Sequence, residues 1–186
     1  ISGPNADQVQ FGDYTWSRNN KDGVTPLQGI KNRVNKNTAI HYAKGCSLTS
    51  LDTSGIAEAV EAAKNSEVAV IFGGSASAAL ARDYKSSTCG EGFDLNDLNL
   101  TGAQSQLIRE VYRTGTPVIL VLVTGKPFAI EWEKNNLPAI LVQWYAGEQA
   151  GNSIADILFG EVVPSGRLTF SFPRSTGHLP VYYNYL

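Results

Sequence analysis

The sequence holds only two cysteines and two histidines, carries a net charge of -2, and has charged side chains at 17% of its 186 positions. Each scarcity removes a class of protein. Cys46 and Cys89 match neither a metal-binding spacing nor a redox CxxC pair, and two free thiols are favoured over a single disulfide. His41 and His178 have no carboxylates or thiols at ligand spacing, so no metal site is expected. The lysines and arginines are scattered, which leaves no electrostatic footprint for nucleic acid or an anionic membrane. The longest apolar runs, such as 117–123, fall far short of the roughly 20 residues of a membrane-spanning helix. A composition with 42% hydrophobic residues is that of a globular chain long enough to build one substantial core.

Short β-branched runs alternate with amphipathic stretches, the pattern of βα units building a mostly parallel sheet. Strands are expected at 38–42, 68–72, 118–123 and 137–144, with an edge strand at 168–172. Helices are expected near 27–34, from an N-cap at Ser54 to about Asn65, from Thr101 to about Thr114, from Pro127 to about Asn136, and at 147–159. No repeat or composition shift divides the chain, so residues 1–186 read as one domain. Open parallel sheets place ligands outside the carboxyl ends of their strands, here the loops after Phe72, Val123 and Trp144. The loop at 74–101 is long for a compact domain, and loops of that length usually carry function.

Nucleotide and serine-hydrolase chemistry are excluded first. Gly73-Gly74 leads into neither a GxGxxG fingerprint nor a Walker lysine, and there is no GxSxG elbow. The long loop offers Glu91 between Gly90 and Gly92, sterically open and followed by Phe93 and Asp94. A general acid for glycoside cleavage must be protonated when substrate binds, a state favoured by an apolar wall such as Phe93 or a sugar ring. On spacing alone, a solvated surface glutamate remains the commoner reading. Asp94 and Asp97 suit Asx turns within the loop. Arg82 and Asp83, upstream in the same loop, are candidates to bind substrate hydroxyls or orient the acid. Trp16, Trp132, Trp144 and Tyr145 could stack on a sugar or fill the core. Glu148 reads as structural, capping or hydrogen-bonding the helix that follows rather than reacting.

Several segments in order resemble the second domain of family 3 glycoside hydrolases: Gly3-Pro4-Asn5-Ala6-Asp7, Gly12-Asp13-Tyr14, Tyr42-Ala43-Lys44-Gly45-Cys46, Gly125-Lys126-Pro127, Trp144-Tyr145-Ala146-Gly147-Glu148-Gln149-Ala150-Gly151-Asn152, Ala155-Asp156-Ile157-Leu158-Phe159-Gly160 and Pro164-Ser165-Gly166-Arg167-Leu168. The resemblance implies a three-layer αβα sandwich around a mostly parallel sheet of about six strands. It further implies a retaining β-glycosidase acting on terminal β-D-glucosyl or xylosyl residues, with β-glucosidase ahead of β-xylosidase and no cofactor. Glu91, Asp97, Leu98, Leu100 and Gln104 match the order of the family's acid/base motif; the chain departs from it at Leu95 or its neighbours, where many members carry an arginine beside the aspartate. The resemblance makes Glu91 the general acid/base and leaves the nucleophilic aspartate to a (β/α)8 barrel of about 250 residues that this sequence does not contain. Such a chain is expected to be inactive alone and to need that barrel as its partner. Polysaccharide degradation fits a periplasmic or extracellular parent enzyme. The competing readings are a carbohydrate-binding module without chemistry and a structural buttress.

Overall fold

The computed structural model describes residues 1–17, 19–77, 88–92 and 94–184. Three parallel strands form its sheet in the order β1 (Ala69–Gly74), β2 (Val118–Val123), β3 (Ala139–Gln143). The register pairs Ile71 with Leu120 and Leu120 with Ile140. Among the described residues, five α-helices surround it: α1 (Pro26–Arg33), α2 (Ile56–Lys64), α3 (Gln104–Tyr112), α4 (Glu131–Asn136) and α5 (Ala150–Leu158).

The period-two alternation of the strands sorts the core into two halves. Ala69, Ile71, Val118, Leu120 and Leu122 pack with Ile56, Ala59 and Ala63 of α2 and with Leu107, Ile108 and Val111 of α3. Val70, Phe72 and Val121 face the other way, onto Ile30 of α1 and Ile154 and Ala155 of α5. Burial of β1 and β2 on both faces explains their continuous apolar runs, because neither face meets water. The sheet is therefore covered by helices on both sides.

The helix α1 begins with Pro26 at its first turn, and Thr25 Oγ1 accepts the Gln28 N–H at 3.2 Å as an N-cap. Its packing on α5 depends on two glycines. A Cβ on Gly29 would lie 2.0 Å from the Gly151 carbonyl oxygen, and one on Gly151 would lie 2.1 Å from that of Thr25. The two backbones thus meet at a separation that excludes any side chain.

Six expectations need correction. The sheet has three strands among the described residues rather than about six. Residues 38–42 form no strand: Ser2 makes single parallel bridges to Ile71 and Ala43, extending the sheet's hydrogen bonding by isolated contacts. Residues 168–172 also lack a ladder, with Leu168 and Phe170 exposed. Ser54 does not cap α2, because its hydroxyl donates instead to Asp52 Oδ2 at 3.0 Å, and the N-cap is Gly55. Pro127 precedes α4, which starts only at Glu131. The segment β3, expected to be buried, is half-buried because it is the last strand of the sheet. Both cysteines are free, as expected.

Candidate active site

The carboxyl ends of the three strands converge on a buried polar floor. Ser75 follows β1, Thr124 follows β2 and Tyr145 follows β3. Ser75 Oγ lies 2.9 Å from the Tyr145 hydroxyl and donates to Thr124 Oγ1 at 3.3 Å. Thr124 Oγ1 in turn donates to the Lys126 carbonyl at 2.6 Å and accepts its N–H at 3.0 Å. Asn5 Nδ2 donates to the Ser75 carbonyl at 3.1 Å, so the chain's first loop is tied into the same floor. Buried polar groups are tolerated only when bonded in this way. Burial pushes the Tyr145 phenol well above its ordinary value, against the lowering effect of its bond to Ser75, and keeps it neutral.

A buried amide and a buried amine mark the floor's edges. Gln104, at the start of α3, accepts the Gly74 N–H at 2.7 Å and donates to the Gly74 and Leu48 carbonyls at 3.0 Å each. It thereby fixes the point where the chain leaves β1. Lys126 is buried, and its Nζ has no hydrogen-bond partner among the described residues; it lies 4.7 Å from the Phe128 ring centroid. Burial lowers its pKa, while Cys89 and Asp97 act in the opposite direction.

The segment bearing Glu91 returns to this floor beside β1. Thr88 Oγ1 accepts the Ala76 N–H at 3.0 Å, and Ser77 and Cys89 form an isolated parallel bridge. A Cβ on Gly125 would sit 2.8 Å from Cys89 Sγ and 2.9 Å from Tyr145 Cε2, so the β2 loop supports this segment from below at a distance only glycine permits.

Glu91 is exposed, with its main chain and its side chain both held by the N-terminal loop. Its N–H donates to Asp13 Oδ2 at 2.8 Å, and the Tyr14 hydroxyl donates to its Oε2. Asp13 Oδ1 accepts the hydroxyl of the fully buried Ser77. The same loop crosses to the far rim, where Gln10 bridges Gly147 and the Trp16 indole donates to Glu148 Oε1 at 2.6 Å. Tyr14 and Trp16 are 85% and 73% exposed, leaving their ring faces open beside two carboxylates.

Among the candidates read from sequence, Glu91 thus sits at the strand ends, as expected. Asp94 is exposed, and no hydrogen bond among the described residues joins it to Glu91. Arg82, Asp83 and Phe93 lie outside the described residues. Asp97 adopts the Asx arrangement, accepting the Asn99 N–H at 3.1 Å and the Thr176 hydroxyl at 3.0 Å, and these bonds hold its carboxyl below the usual range. Glu148 does not cap α5, whose N-cap is Gln149; its side chain holds Trp16 instead. Of the aromatic candidates, Trp132 packs edge-on against Tyr112 and Trp144 against Phe170, leaving Trp16 as the tryptophan open to a ligand. Sequence patterning does not single out Asp13 and Tyr14, which the structure brings to Glu91, although they stand in one of the family-like segments. Among the described residues, no cluster of three His, Cys, Asp or Glu side chains could hold a metal ion, and no helix is long and apolar enough to cross a membrane.

Comparison with known proteins matches this architecture to one class. The family model described as the glycosyl hydrolase family 3 C-terminal domain covers residues 1–186, and the chain belongs to that family. It is 44% identical over 160 residues to a beta-xylosidase of Formosa agariphila, covering 86% of this chain and 21% of that protein. It is 38% identical over 210 aligned positions to the periplasmic beta-glucosidase of Salmonella typhimurium, covering 100% of this chain and 26% of that protein. Among solved structures, a β-glucosidase of Listeria innocua in complex with isofagomine superposes with a TM-score of 0.83 at 31% identity, covering all of this chain and 24% of that one. The chain therefore spans about a quarter of the length of these relatives.

Proposed function

We propose that this chain is the α/β domain of a retaining β-glycosidase that removes terminal β-D-glucosyl or xylosyl residues, and that Glu91 is its general acid/base. The family membership and the names of the relatives support the activity. The observation that carries the assignment of Glu91 is its placement: an exposed carboxylate at the strand ends, with backbone and side chain both tethered, beside the open rings of Tyr14 and Trp16. An aromatic face suits the apolar side of a pyranose.

In a retaining mechanism two carboxyl groups stand about 5–5.5 Å apart. One attacks the anomeric carbon while the other protonates the departing oxygen. In the second step the latter group, now ionised, takes a proton from the water that releases the sugar. Glu91 fills the second role, and the nucleophile is an aspartate of a barrel domain outside this chain. The barrel also completes the pocket, so the isolated chain turns over no substrate.

The test uses the full-length enzyme. Glu91→Ala is expected to lower kcat by about 10²–10⁴-fold on substrates whose leaving groups need protonation. Added azide restores turnover of activated aryl glycosides, because this anion needs no deprotonation and attacks the anomeric carbon of the glycosyl-enzyme in place of base-activated water, releasing the aspartate carboxylate and a glycosyl azide. Full activity in Glu91→Gln would refute the assignment and favour a structural buttress. Binding of glucose or xylose by the isolated chain at millimolar or tighter affinity, without an effect of Glu91→Gln on turnover, would favour a carbohydrate-binding module.

A further inference from the structure

We propose that Asp13 is a positioning residue for the acid/base, acting through the main chain of Glu91. The inference rests on the reading of Glu91 given above. One oxygen of the Asp13 carboxylate accepts the Glu91 N–H at 2.8 Å and the other accepts the Ser77 hydroxyl. Ser77 is fully buried, three residues past the end of β1, and bridges Cys89. The carboxylate therefore joins Ser77, near the start of the long loop and rooted in the sheet, to Glu91 further along it. Asp13 is itself carried by a loop whose Gln10 bridges Gly147 on the opposite rim. Glu91 has glycine on either side, so its own backbone offers little resistance to movement. A charge-assisted bond to its amide supplies that resistance. A displacement of about 1 Å in a proton donor costs on the order of 10²-fold in rate, which makes the anchoring of this amide consequential for turnover.

The two-oxygen geometry defines a conservative variant. In Asp13→Asn, Oδ1 still accepts the Glu91 N–H while Nδ2 donates to Ser77 Oγ, so both contacts survive with the second bond reversed. Asp13→Ala removes both.

The full-length enzyme is assayed on a series of aryl β-glucosides and β-xylosides of increasing leaving-group pKa. Asp13→Ala is expected to reduce kcat by about 10- to 100-fold for the poorest leaving groups and only a few-fold for the best, with KM changing less than kcat. Asp13→Asn is expected to stay within about fivefold of the parent across the series. The double variant Asp13→Ala, Glu91→Ala is expected to be no slower than Glu91→Ala alone, because a residue acting through Glu91 has nothing left to position. A loss equal for all leaving groups, or losses that multiply in the double variant, would overturn the proposal. If Asp13→Ala does not fold, Asp13→Ser, which is too short to span both contacts, serves in its place with the same expected pattern. An inert Glu91→Ala would overturn the acid/base reading itself, whereas a damaging Glu91→Ala beside a harmless Asp13→Ala would overturn only the positioning role.

Discussion

Replacing Gln104 with leucine removes the side chain that bonds both main-chain groups of Gly74 at the end of β1, while keeping nearly the same volume. The substitution strands the Gly74 N–H, which donates to Oε1 at 2.7 Å, and the Gly74 carbonyl, which accepts from Nε2 at 3.0 Å. Both contacts are buried. A buried polar group left without a partner costs about 1–3 kcal/mol, so the pair costs about 2–6 kcal/mol. The bond to Leu48 lies in a partly buried place and adds less. Urea unfolding of the isolated chain, followed by the fluorescence of its three tryptophans, reads this directly. With an m-value of about 2 kcal/mol/M, the midpoint is expected to fall by about 1–3 M. Gln104→Glu separates hydrogen bonding from packing, since it keeps an acceptor for Gly74 N–H but turns a carboxylate oxygen toward two carbonyls; it is expected to be no more stable than Gln104→Leu. A midpoint shift below about 0.5 M for Gln104→Leu at unchanged m would refute the reasoning, because Gly74 would then have to be satisfied without α3.

Gly151→Ala places a methyl group 2.1 Å from the Thr25 carbonyl oxygen, so the usual gain of alanine over glycine in a helix is outweighed by separation of α1 from α5. The expected loss is about 3 kcal/mol, or about 6–12 °C in melting temperature by circular dichroism; a drop under about 2 °C would show that the helices part freely. Burial pushes the Cys46 thiol up to about 11. In the unfolded chain the thiol ionises nearer pH 8.5, so at intermediate pH the unfolded state binds fewer protons and stability falls as pH rises, by at most about 1.4 kcal/mol per pH unit between the two values. Comparing urea midpoints of the parent and Cys46→Ala from pH 8 to 11 isolates this slope, and parallel curves would contradict it.

The parts of the fold legible in the sequence are those in which local pattern and tertiary environment agree. Residues 118–123 read as a buried strand because both faces of β2 meet helices, and Ile56, Ala59 and Ala63 mark the one buried face of α2. Residues 38–42 and 168–172 have the same β-branched or aromatic character, yet a strand also needs a partner over several residues, and local propensity carries no record of one. The serine at 54 shows the same limit at smaller scale: Asp52, two residues away, competes for its hydroxyl. At the candidate site, spacing could make Glu91 no more than one exposed carboxylate among many, and only the family resemblance raised it. Asp13 was hidden for a geometric reason. Its contact with Glu91 spans 78 residues, and nothing in either local segment indicates the other.

The two exposed carboxylates of the rim, Glu91 and Glu148, are both held by donors from the same N-terminal loop, yet their settings differ in what is being fixed. At Glu148 the side chain accepts an indole N–H and its carbonyl accepts the Val24 N–H at 2.7 Å, so the residue orients Trp16 and joins the turn ahead of α1 to the start of α5. At Glu91 the bonds converge on the carboxylate itself and on its amide, and through Asp13 they run to Ser77 and β1. An acid that must meet a leaving oxygen and then a water has to remain exposed, and an exposed side chain on a glycine-flanked segment loses conformational freedom only if other groups hold it. At Glu91, Asp13 and Tyr14 supply such bonds. On the proposed reading, the nucleophile of another domain then meets a proton donor whose position is already set by the sheet, which is the condition for two carboxyl groups on separate domains to work at a spacing of about 5 Å.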